Sequence, residues 1–240
     1  MRIAVCLWGL CRSTQWTYPS FQKMILAPLK ASGIQVDIYI HTYTKRTPYQ
    51  NRWSGERSQR IDNEAWRTYH PGGWMVQDQD RVDPHLRLKE YRSQPLLWKH
   101  GGYDTLDNLV RSLYSLKQVA RLWQASKREY DWIMYVRPDV RFLHPLDTSV
   151  FHPDKADGVQ IPDFCNFPIN DRFCIAKPGI ARIYGERFDG LLAYSKQRSA
   201  HSETYLVDVL RENNIPIYKL PGFTFRRVRV NGREIDREVK

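Results

Sequence analysis

Residues 130–142 read YDWIMYVRPDVRF, and this stretch decides the fold and the position of the site. It begins with an apolar run from Trp132 to Val136, whose aromatic and branched residues are typical of a strand buried on both faces. Pro138 lacks the N–H group that a central strand donates, so strand pairing should end there. Because ligands of an open parallel sheet bind beyond the carboxyl ends of the strands, we expect Arg137 and Asp139 to lie at a ligand site.

Arg137 and Asp139 provide one cation and one carboxylate at that edge. A carboxylate there can ligate a divalent ion, which in turn can hold a diphosphate. An arginine can form forked hydrogen bonds with phosphate or carboxylate oxygens. The pair can equally well be an ion pair that closes a turn, because such pairs are common in loops and weak. On these residues alone, both interpretations stay open.

The first forty-odd residues have the pattern of a β-α-β unit. Residues 3–8 form a short apolar run that predicts a first strand, and residues 36–40 predict a second. Between them, residues 18–30 carry apolar side chains near helical spacing. This order implies two parallel strands joined by a right-handed crossover.

Polar residues follow both of these strands. Gly9, Arg12 and Ser13 come after the first strand, where glycine allows a ligand close to the backbone and the other two can contact phosphate. A plain strand-to-helix turn accounts for them as well. His41 ends the second strand, and a hydrogen-bonded histidine is favoured there over one that contacts a ligand.

Two later helices carry further candidate residues. Residues 105–126 have an apolar stripe at steps of three and four, which predicts a core helix. Arg111 and Ser112 lie in its first turns, where a helix N-terminus can face an anion, although a solvated polar face is the alternative. A helix is also predicted after Ser202, which is a suitable N-cap, and Glu203 is a favourable acid in its first turn.

The composition limits the class of protein. The chain has 240 residues, 42% of them hydrophobic, which is enough for one large α/β domain or two small ones. The net charge of +11 indicates a polyanionic partner: nucleic acid, an acidic membrane surface or phosphorylated small molecules. The spacing of the cysteines excludes a typical zinc site or a disulfide scaffold, so reduced thiols in an intracellular compartment are predicted. The four cysteines are Cys6, Cys11, Cys165 and Cys174.

The sequence contains no pattern of a signal peptide and no apolar stretch of the roughly 18–20 residues that a membrane-spanning helix needs. A soluble, cytoplasmic protein without its own membrane anchor is therefore predicted.

Residues 44–100 differ in character from the rest, because they are polar and basic and have no long periodic run. Short helices and strands with a mobile part are predicted, since a structureless loop of this length is unusual in a compact domain. Basic residues among aromatic ones can bind single-stranded nucleic acid or sugars, but ordinary packing of an insertion is favoured for most of them. The tryptophans of this segment are Trp53, Trp66, Trp74 and Trp98. The Arg-rich tail, about residues 223–240, is either a solvated end or a basic flap over phosphates.

Several short stretches, taken in their order and spacing, resemble glycosyltransferases with the GT-A fold of the kind found in large DNA viruses and bacterial polysaccharide gene clusters. The resemblance covers most of the chain, apart from residues 44–100 and the tail. The stretches are Arg2-Ile3-Ala4-Val5 with Gly9 and Arg12, Tyr130-Asp131 with Val136-Arg137-Pro138-Asp139-Val140, Ile161-Pro162 with Asn170-Asp171-Arg172-Phe173, and His201-Ser202-Glu203. The resemblance implies a single GT-A-like (Rossmann-like) α/β domain over residues 1–240, with a central, mostly parallel sheet flanked by helices.

The resemblance also implies a nucleotide-sugar donor, a glycan or other hydroxyl acceptor, and no nucleic acid as partner. In such enzymes a D-x-D-type motif after a central strand holds Mn²⁺ or Mg²⁺ on the donor diphosphate. The matching residues here are Arg137-Pro138-Asp139, so Asp139 is left as the implied metal ligand and Arg137 can partly replace the metal. The residues predicted to bind the donor are Gly9, Arg12, Ser13, Arg111, Ser112, Arg137, Asp139 and Arg172.

The resemblance places the catalytic acid residue of these enzymes at the start of a late helix, which Glu203 matches. In an inverting reaction Glu203 would be the general base that deprotonates the acceptor hydroxyl. Asp171 and Asp163 are the rival candidates, on loops that should reach the same edge of the sheet. The sequence does not decide between an inverting and a retaining outcome.

Two other functions compete with this one. The net charge and the basic, tryptophan-containing segment are compatible with a nucleic-acid-binding protein, whose affinity would fall steeply with salt, although no known nucleic-acid motif is present. The missing first acid of the D-x-D motif is compatible with a degenerate domain that binds nucleotide sugars without turning them over.

Overall fold

A central sheet runs through the protein, and the loops at one of its edges carry most of the predicted site. The computed structural model describes residues 1–52, 54–96 and 102–235. Its strands are β1 Arg2–Trp8, β2 Gln35–Thr44, β3 Tyr49–Asn51, β4 Glu56–Gln59, β5 Gly73–Asp78, β6 Trp132–Val136, β7 Val140–Phe142, β8 Val159–Pro162, β9 Phe173–Ala176, β10 Ile217–Leu220 and β11 Phe225–Arg227. Its α-helices are α1 Thr14–Phe21, α2 Ala27–Ala31, α3 Gln79–Leu86, α4 Asp104–Ala125, α5 Pro178–Glu186, α6 Phe188–Gln197 and α7 Ser202–Glu212.

The large sheet has the strand order β10-β8-β9-β6-β1-β2-β5. Strand β1 pairs in parallel with both β2 and β6, and β2 pairs in parallel with β5. Strand β9 runs antiparallel to its neighbours β6 and β8, while β8 and β10 are parallel. The carboxyl ends of the other strands and the amino end of β9 therefore meet at one edge. The predicted α/β architecture with a mostly parallel sheet is confirmed.

Strand β6 lies in the middle of this sheet and is buried throughout, as its apolar run predicts. Alternate residues of the neighbouring β1 enter two different cores: Ala4 packs on the side of α4, and Val5 packs on the side of α1. Both faces are covered by helices, which explains why β1 and β6 read as continuous apolar runs. The sheet pairing of β6 ends at Val136, just before Pro138.

The helices follow the predicted pattern with small shifts. The first helix begins at Thr14, earlier than expected, and passes through a π-helical turn at Gln22–Leu26 into α2. The apolar stripe of residues 105–126 forms α4. His201 occupies the N-cap of α7 and Ser202 is its first helical residue, so the predicted N-cap at Ser202 was wrong by one position.

Residues 44–100 contribute to the sheet, because β5 pairs with β2 along its whole length. The segment also contains the β3–β4 pair, α3 and 3-10 turns at Ala65–Tyr69 and Leu88–Tyr91. Trp66 is buried and stacks on the exposed Trp74, with ring centroids 5.7 Å apart. The predictions for Trp53 and Trp98 lie outside the described residues.

The carboxyl-terminal residues also pack against the domain. Strand β11 pairs antiparallel with β7, and Val228 forms a bridge with Glu234. The four cysteines are free, and Cys6 is fully buried, as its apolar neighbours predict. No helix in the described part of the chain is both long and apolar enough to span a membrane.

Candidate functional site

The carboxyl edge of the sheet brings together loops from distant parts of the sequence. Arg12 follows β1, and Arg137 and Asp139 follow β6. Arg172 directly precedes β9, and Glu203 lies in the first turn of α7. The topology therefore gathers most of the predicted cations and carboxylates at the edge where ligands of such sheets bind.

Asp139 is the centre of the first group of side chains at this edge. Its carboxylate is 1% exposed and accepts hydrogen bonds from two arginines. Arg12 Nη2 donates to Oδ2 over 2.6 Å, while Arg137 donates through Nη2 to Oδ2 over 2.9 Å and through Nε to Oδ1 over 3.0 Å. Burial acts to raise the pKa of Asp139, but Arg137 and Arg12 outweigh it and hold the pKa well below its usual range. Asp139 is therefore ionised at neutral pH.

The surroundings of Asp139 do not fit Mn²⁺ or Mg²⁺. These ions need several oxygen ligands, whereas both oxygens of Asp139 are already hydrogen-bonded by guanidinium groups. Across residues 1–52, 54–96 and 102–235, no group of three or more His, Cys, Asp or Glu side chains is arranged to hold a metal ion. Whether the protein uses a divalent cation stays a prediction.

Gly9 is favoured by its backbone conformation. Its φ of +99° lies in the region that favours glycine, whereas a Cβ atom there would meet Cζ of Arg137 at 3.7 Å, an ordinary contact distance. The Gly9 N–H donates to Ser115 Oγ over 2.8 Å. The guanidinium group of Arg137 therefore lies beside Gly9, and the close approach of a ligand to this backbone stays a prediction.

Two residues that the sequence analysis did not single out complete this group. Arg229, from the carboxyl-terminal segment, is 2% exposed, and its Nη1 lies 3.6 Å from Glu56 Oε2. Arg12 Nη1 lies 3.9 Å from the same Glu56 oxygen and also hydrogen-bonds the Tyr49 hydroxyl. We call Arg12, Arg137, Arg229, Asp139 and Glu56 the arginine cluster. The Arg-rich tail gave a hint of Arg229, while nothing in the sequence marked Glu56.

Glu203 and Asp171 form a second group, which we call the carboxyl pair. Glu203 is 4% exposed, accepts a hydrogen bond from the Phe167 N–H, and lies 3.7 Å from Arg172 Nη2 through its Oε1. Burial and the charge of Asp171 raise the pKa of Glu203 to about 8, against the opposing effect of Arg172. Burial also acts to raise the pKa of Asp171, but the positive charges of Arg172, Arg187 and Arg137 outweigh it and lower this pKa.

The two groups adjoin each other. The Arg137 N–H donates to the Arg172 carbonyl oxygen over 3.2 Å, which ties the loop after β6 to the strand entry of β9. The guanidinium of Arg137 is also one of the charges that lower the pKa of Asp171. Guanidinium groups and a carboxyl group that changes charge near neutral pH are therefore neighbours at this edge.

Other predicted residues are engaged elsewhere. Arg111 forms a forked pair with Asp83 of α3, with both N–O distances 2.8 Å. Asp163 is exposed, and its Oδ1 lies 3.6 Å from Lys219 Nζ. Ser112 is at the margin of the arginine cluster, since Arg137 Nη1 donates to its Oγ over 3.4 Å.

Ser13 and His41 complete the predicted set. Ser13 is 1% exposed, and its hydroxyl has no hydrogen-bond partner among the residues that the structure describes. His41 is fully buried between Ser115 and Gln77, at 2.6 Å and 2.8 Å, and burial lowers its pKa to about 4. The prediction of a hydrogen-bonded histidine is confirmed, but the predicted strand end was wrong, because β2 continues to Thr44 and His41 lies within it.

No protein-family model matches the sequence, and no curated protein matches it either. The chemistry of the site therefore has to be argued from its geometry. Guanidinium groups can stabilise a leaving phosphate, and a carboxyl group with a pKa near the working pH can accept a proton.

Proposed function

We propose that the protein is a glycosyltransferase that moves a sugar from a nucleotide-sugar donor to a hydroxyl group of a glycan or another acceptor. One observation carries the proposal: the arginine cluster adjoins a buried carboxyl group whose pKa is about 8, at the carboxyl edge of a mostly parallel sheet. Glycosyl transfer needs both groups, because the leaving diphosphate gains negative charge while the acceptor loses a proton. A GT-A-like arrangement of the domain is part of this proposal.

In the proposed reaction the acceptor oxygen attacks the anomeric carbon, and the bond from that carbon to the β-phosphate oxygen breaks. The departing nucleoside diphosphate keeps the electron pair, and Arg12 and Arg137 stabilise its charge. Ionised Glu203 takes the proton of the acceptor hydroxyl, a role that its pKa of about 8 suits. No step uses a divalent cation, because the oxygens of Asp139 already accept hydrogen bonds from arginines.

The first test is thermal unfolding with UDP-, GDP-, CMP- and dTDP-sugars, each in EDTA and with Mn²⁺ or Mg²⁺. A bound donor should raise the free energy of unfolding by about 2.7 kcal/mol at a hundredfold excess over its Kd. Arg137→Gln should abolish this shift, because it removes a guanidinium from the proposed phosphate site. Arg182→Gln is the matched control, since the exposed Arg182 pairs with Glu186 on α5, away from the arginine cluster.

The outcomes separate the competing functions. A shift without transfer or hydrolysis for any acceptor would identify a domain that binds nucleotide sugars without turnover. The absence of a shift with every nucleotide sugar would overturn the proposal, and salt-dependent binding of single-stranded nucleic acid would then be tested.

A further inference from the structure

The arginine cluster contains buried donors without an acceptor. Arg229 Nε and Nη2 and Arg12 Nε have no hydrogen-bond partner within residues 1–52, 54–96 and 102–235, and neither has the hydroxyl of Ser13, which follows Arg12 in the sequence. The residues that carry them are buried: Arg229 is 2% and Ser13 1% exposed, and the side chain of Arg12 is 7% exposed. Buried N–H groups are normally hydrogen-bonded, so several unsatisfied donors in one place indicate a missing acceptor.

The charges of the arginine cluster also indicate a missing anion. Three guanidinium groups, from Arg12, Arg137 and Arg229, face the two carboxylates of Asp139 and Glu56. Among the residues that the structure describes, this group therefore has one positive charge in excess in a buried place, where an unpaired charge is unfavourable. Burial and the charge of Arg12 lower the pKa of Arg229 to about 10, which agrees with an arginine that lacks part of its counter-charge. An anion would supply both the charge and the acceptors.

Arg229 reaches the cluster on residues 225–235, which we call the carboxyl-terminal segment. Strand β11 pairs with β7, and the side chains of Phe225 and Val228 are buried in the domain. Val228 N–H donates to the Asp139 carbonyl oxygen over 2.8 Å and Val230 N–H to Glu56 Oε1 over 3.0 Å. The segment therefore lies across the cluster and holds Arg229 in it.

We infer that Arg229 joins Arg12 and Arg137 in a metal-independent site for the diphosphate group of a ligand. The inference rests on the proposed function, in which a nucleoside diphosphate is bound and released at the same edge. A diphosphate offers several anionic oxygens to the unsatisfied donors, and arginine forks suit phosphate oxygens.

Isothermal titration of the full chain with inorganic pyrophosphate, in the presence of EDTA, tests the inference. Wild-type protein should bind pyrophosphate, and Arg229→Gln should weaken binding roughly 10- to 100-fold, the effect expected for loss of a charged hydrogen-bonding partner. Arg233→Gln is the matched control, because Arg233 lies in the same segment, is exposed, and changes the net charge equally, while its Nη2 donates to the Ser54 carbonyl oxygen outside the cluster. It should change Kd by less than about threefold, as expected for a surface charge.

Arg229→Lys and unfolding measurements guard against a folding defect. The lysine variant keeps the charge but loses the fork, so its affinity should fall between those of wild type and Arg229→Gln. Ligand-free Arg229→Gln should unfold at a temperature no lower than wild type, because it removes the excess positive charge of the cluster.

The possible results separate a failure of the inference from a failure of the proposed function. Equal effects of Arg229→Gln and Arg233→Gln would overturn the role of Arg229, and binding of pyrophosphate only with Mn²⁺ or Mg²⁺ would overturn metal independence. Both of these results leave the proposed function standing. If neither pyrophosphate nor UDP or GDP binds wild-type protein under any condition, the proposed function fails together with the inference.

Discussion

Asp139 and Glu203 are two carboxyl groups at the same edge of the sheet, 1% and 4% exposed, yet their pKa values shift in opposite directions. Burial acts to raise both pKa values, so burial does not explain the difference. Asp139 accepts three hydrogen bonds from two arginines, at 2.6 to 3.0 Å. Glu203 has Arg172 at 3.7 Å and the negative charge of Asp171 nearby. The close guanidinium partners of Asp139 and the negative charge of Asp171 beside Glu203 therefore decide which carboxyl group is ionised.

The different pKa values of Asp139 and Glu203 suit the two groups to different tasks. A carboxylate that is always ionised can position two arginines and cannot exchange protons near neutral pH. A carboxyl group with a pKa of about 8 can exchange a proton under those conditions. Asp139 is thus a positioning residue in the proposed site, while Glu203 is the candidate base.

The largest expected effect comes from removing the charge of Asp139. Asp139→Asn should lower the free energy of unfolding at pH 7 by about 3–5 kcal/mol, because buried guanidinium groups lose their counter-charge. Urea unfolding measures this loss. Glu203→Gln is the control in an equally buried place, and it should be much less harmful because Glu203 is largely protonated at pH 7. Equal losses in the two variants would contradict an ionised Asp139 and a largely protonated Glu203 at pH 7.

A second effect, smaller per pH unit, follows from the pH dependence of stability. The folded protein keeps the proton of Glu203 up to a pKa of about 8, whereas the unfolded chain releases it near the ordinary value of 4.5. The folded state therefore binds more protons between pH 4.5 and 8, so stability falls as the pH rises through this window. Relative to Glu203→Gln, wild type should lose at most about 1.4 kcal/mol of unfolding free energy per pH unit there. Above pH 8 the difference should stay constant.

The same measurement sharpens the comparison with Asp139. Its folded pKa lies below the ordinary value of 3.8, so its contribution to stability is present above that pH and is lost only in stronger acid. The difference between wild type and Asp139→Asn should therefore be flat from pH 5 to 8. A slope in that window would show that Asp139 releases a proton there.

Several residues at the carboxyl edge of the sheet could be predicted because their positions depend on local sequence. The apolar run of β6 and the proline after it place Arg137 and Asp139 at the end of a central strand, and the structure has them there. Arg12 was predicted in the same way from the end of β1. These predictions need only the pattern of one strand and the rule that parallel strands end at a common edge.

The partners of these residues could not be predicted, because tertiary packing sets them. Glu56 and Arg229 meet Arg12 from segments far away in the sequence, and no local pattern records that meeting. Arg111 was predicted near an anion, but α3 supplies Asp83 as its partner instead. The opposite pKa shifts of Asp139 and Glu203 likewise depend on neighbours that only the folded chain brings together.

The smallest expected effect concerns Asp163, the remaining candidate acid. It is exposed, and Lys219 at 3.6 Å forms an ion pair of a kind that contributes about 0–1 kcal/mol. Asp163→Asn should therefore change the free energy of unfolding by less than about 1 kcal/mol and leave sugar transfer in place, whereas Glu203→Gln should abolish transfer while the donor still binds. Turnover with an identified donor measures both variants. Loss of transfer in Asp163→Asn together with an active Glu203→Gln would move the proton-accepting role to the exposed carboxylate. In that case sugar transfer would not depend on a buried carboxyl group with a raised pKa.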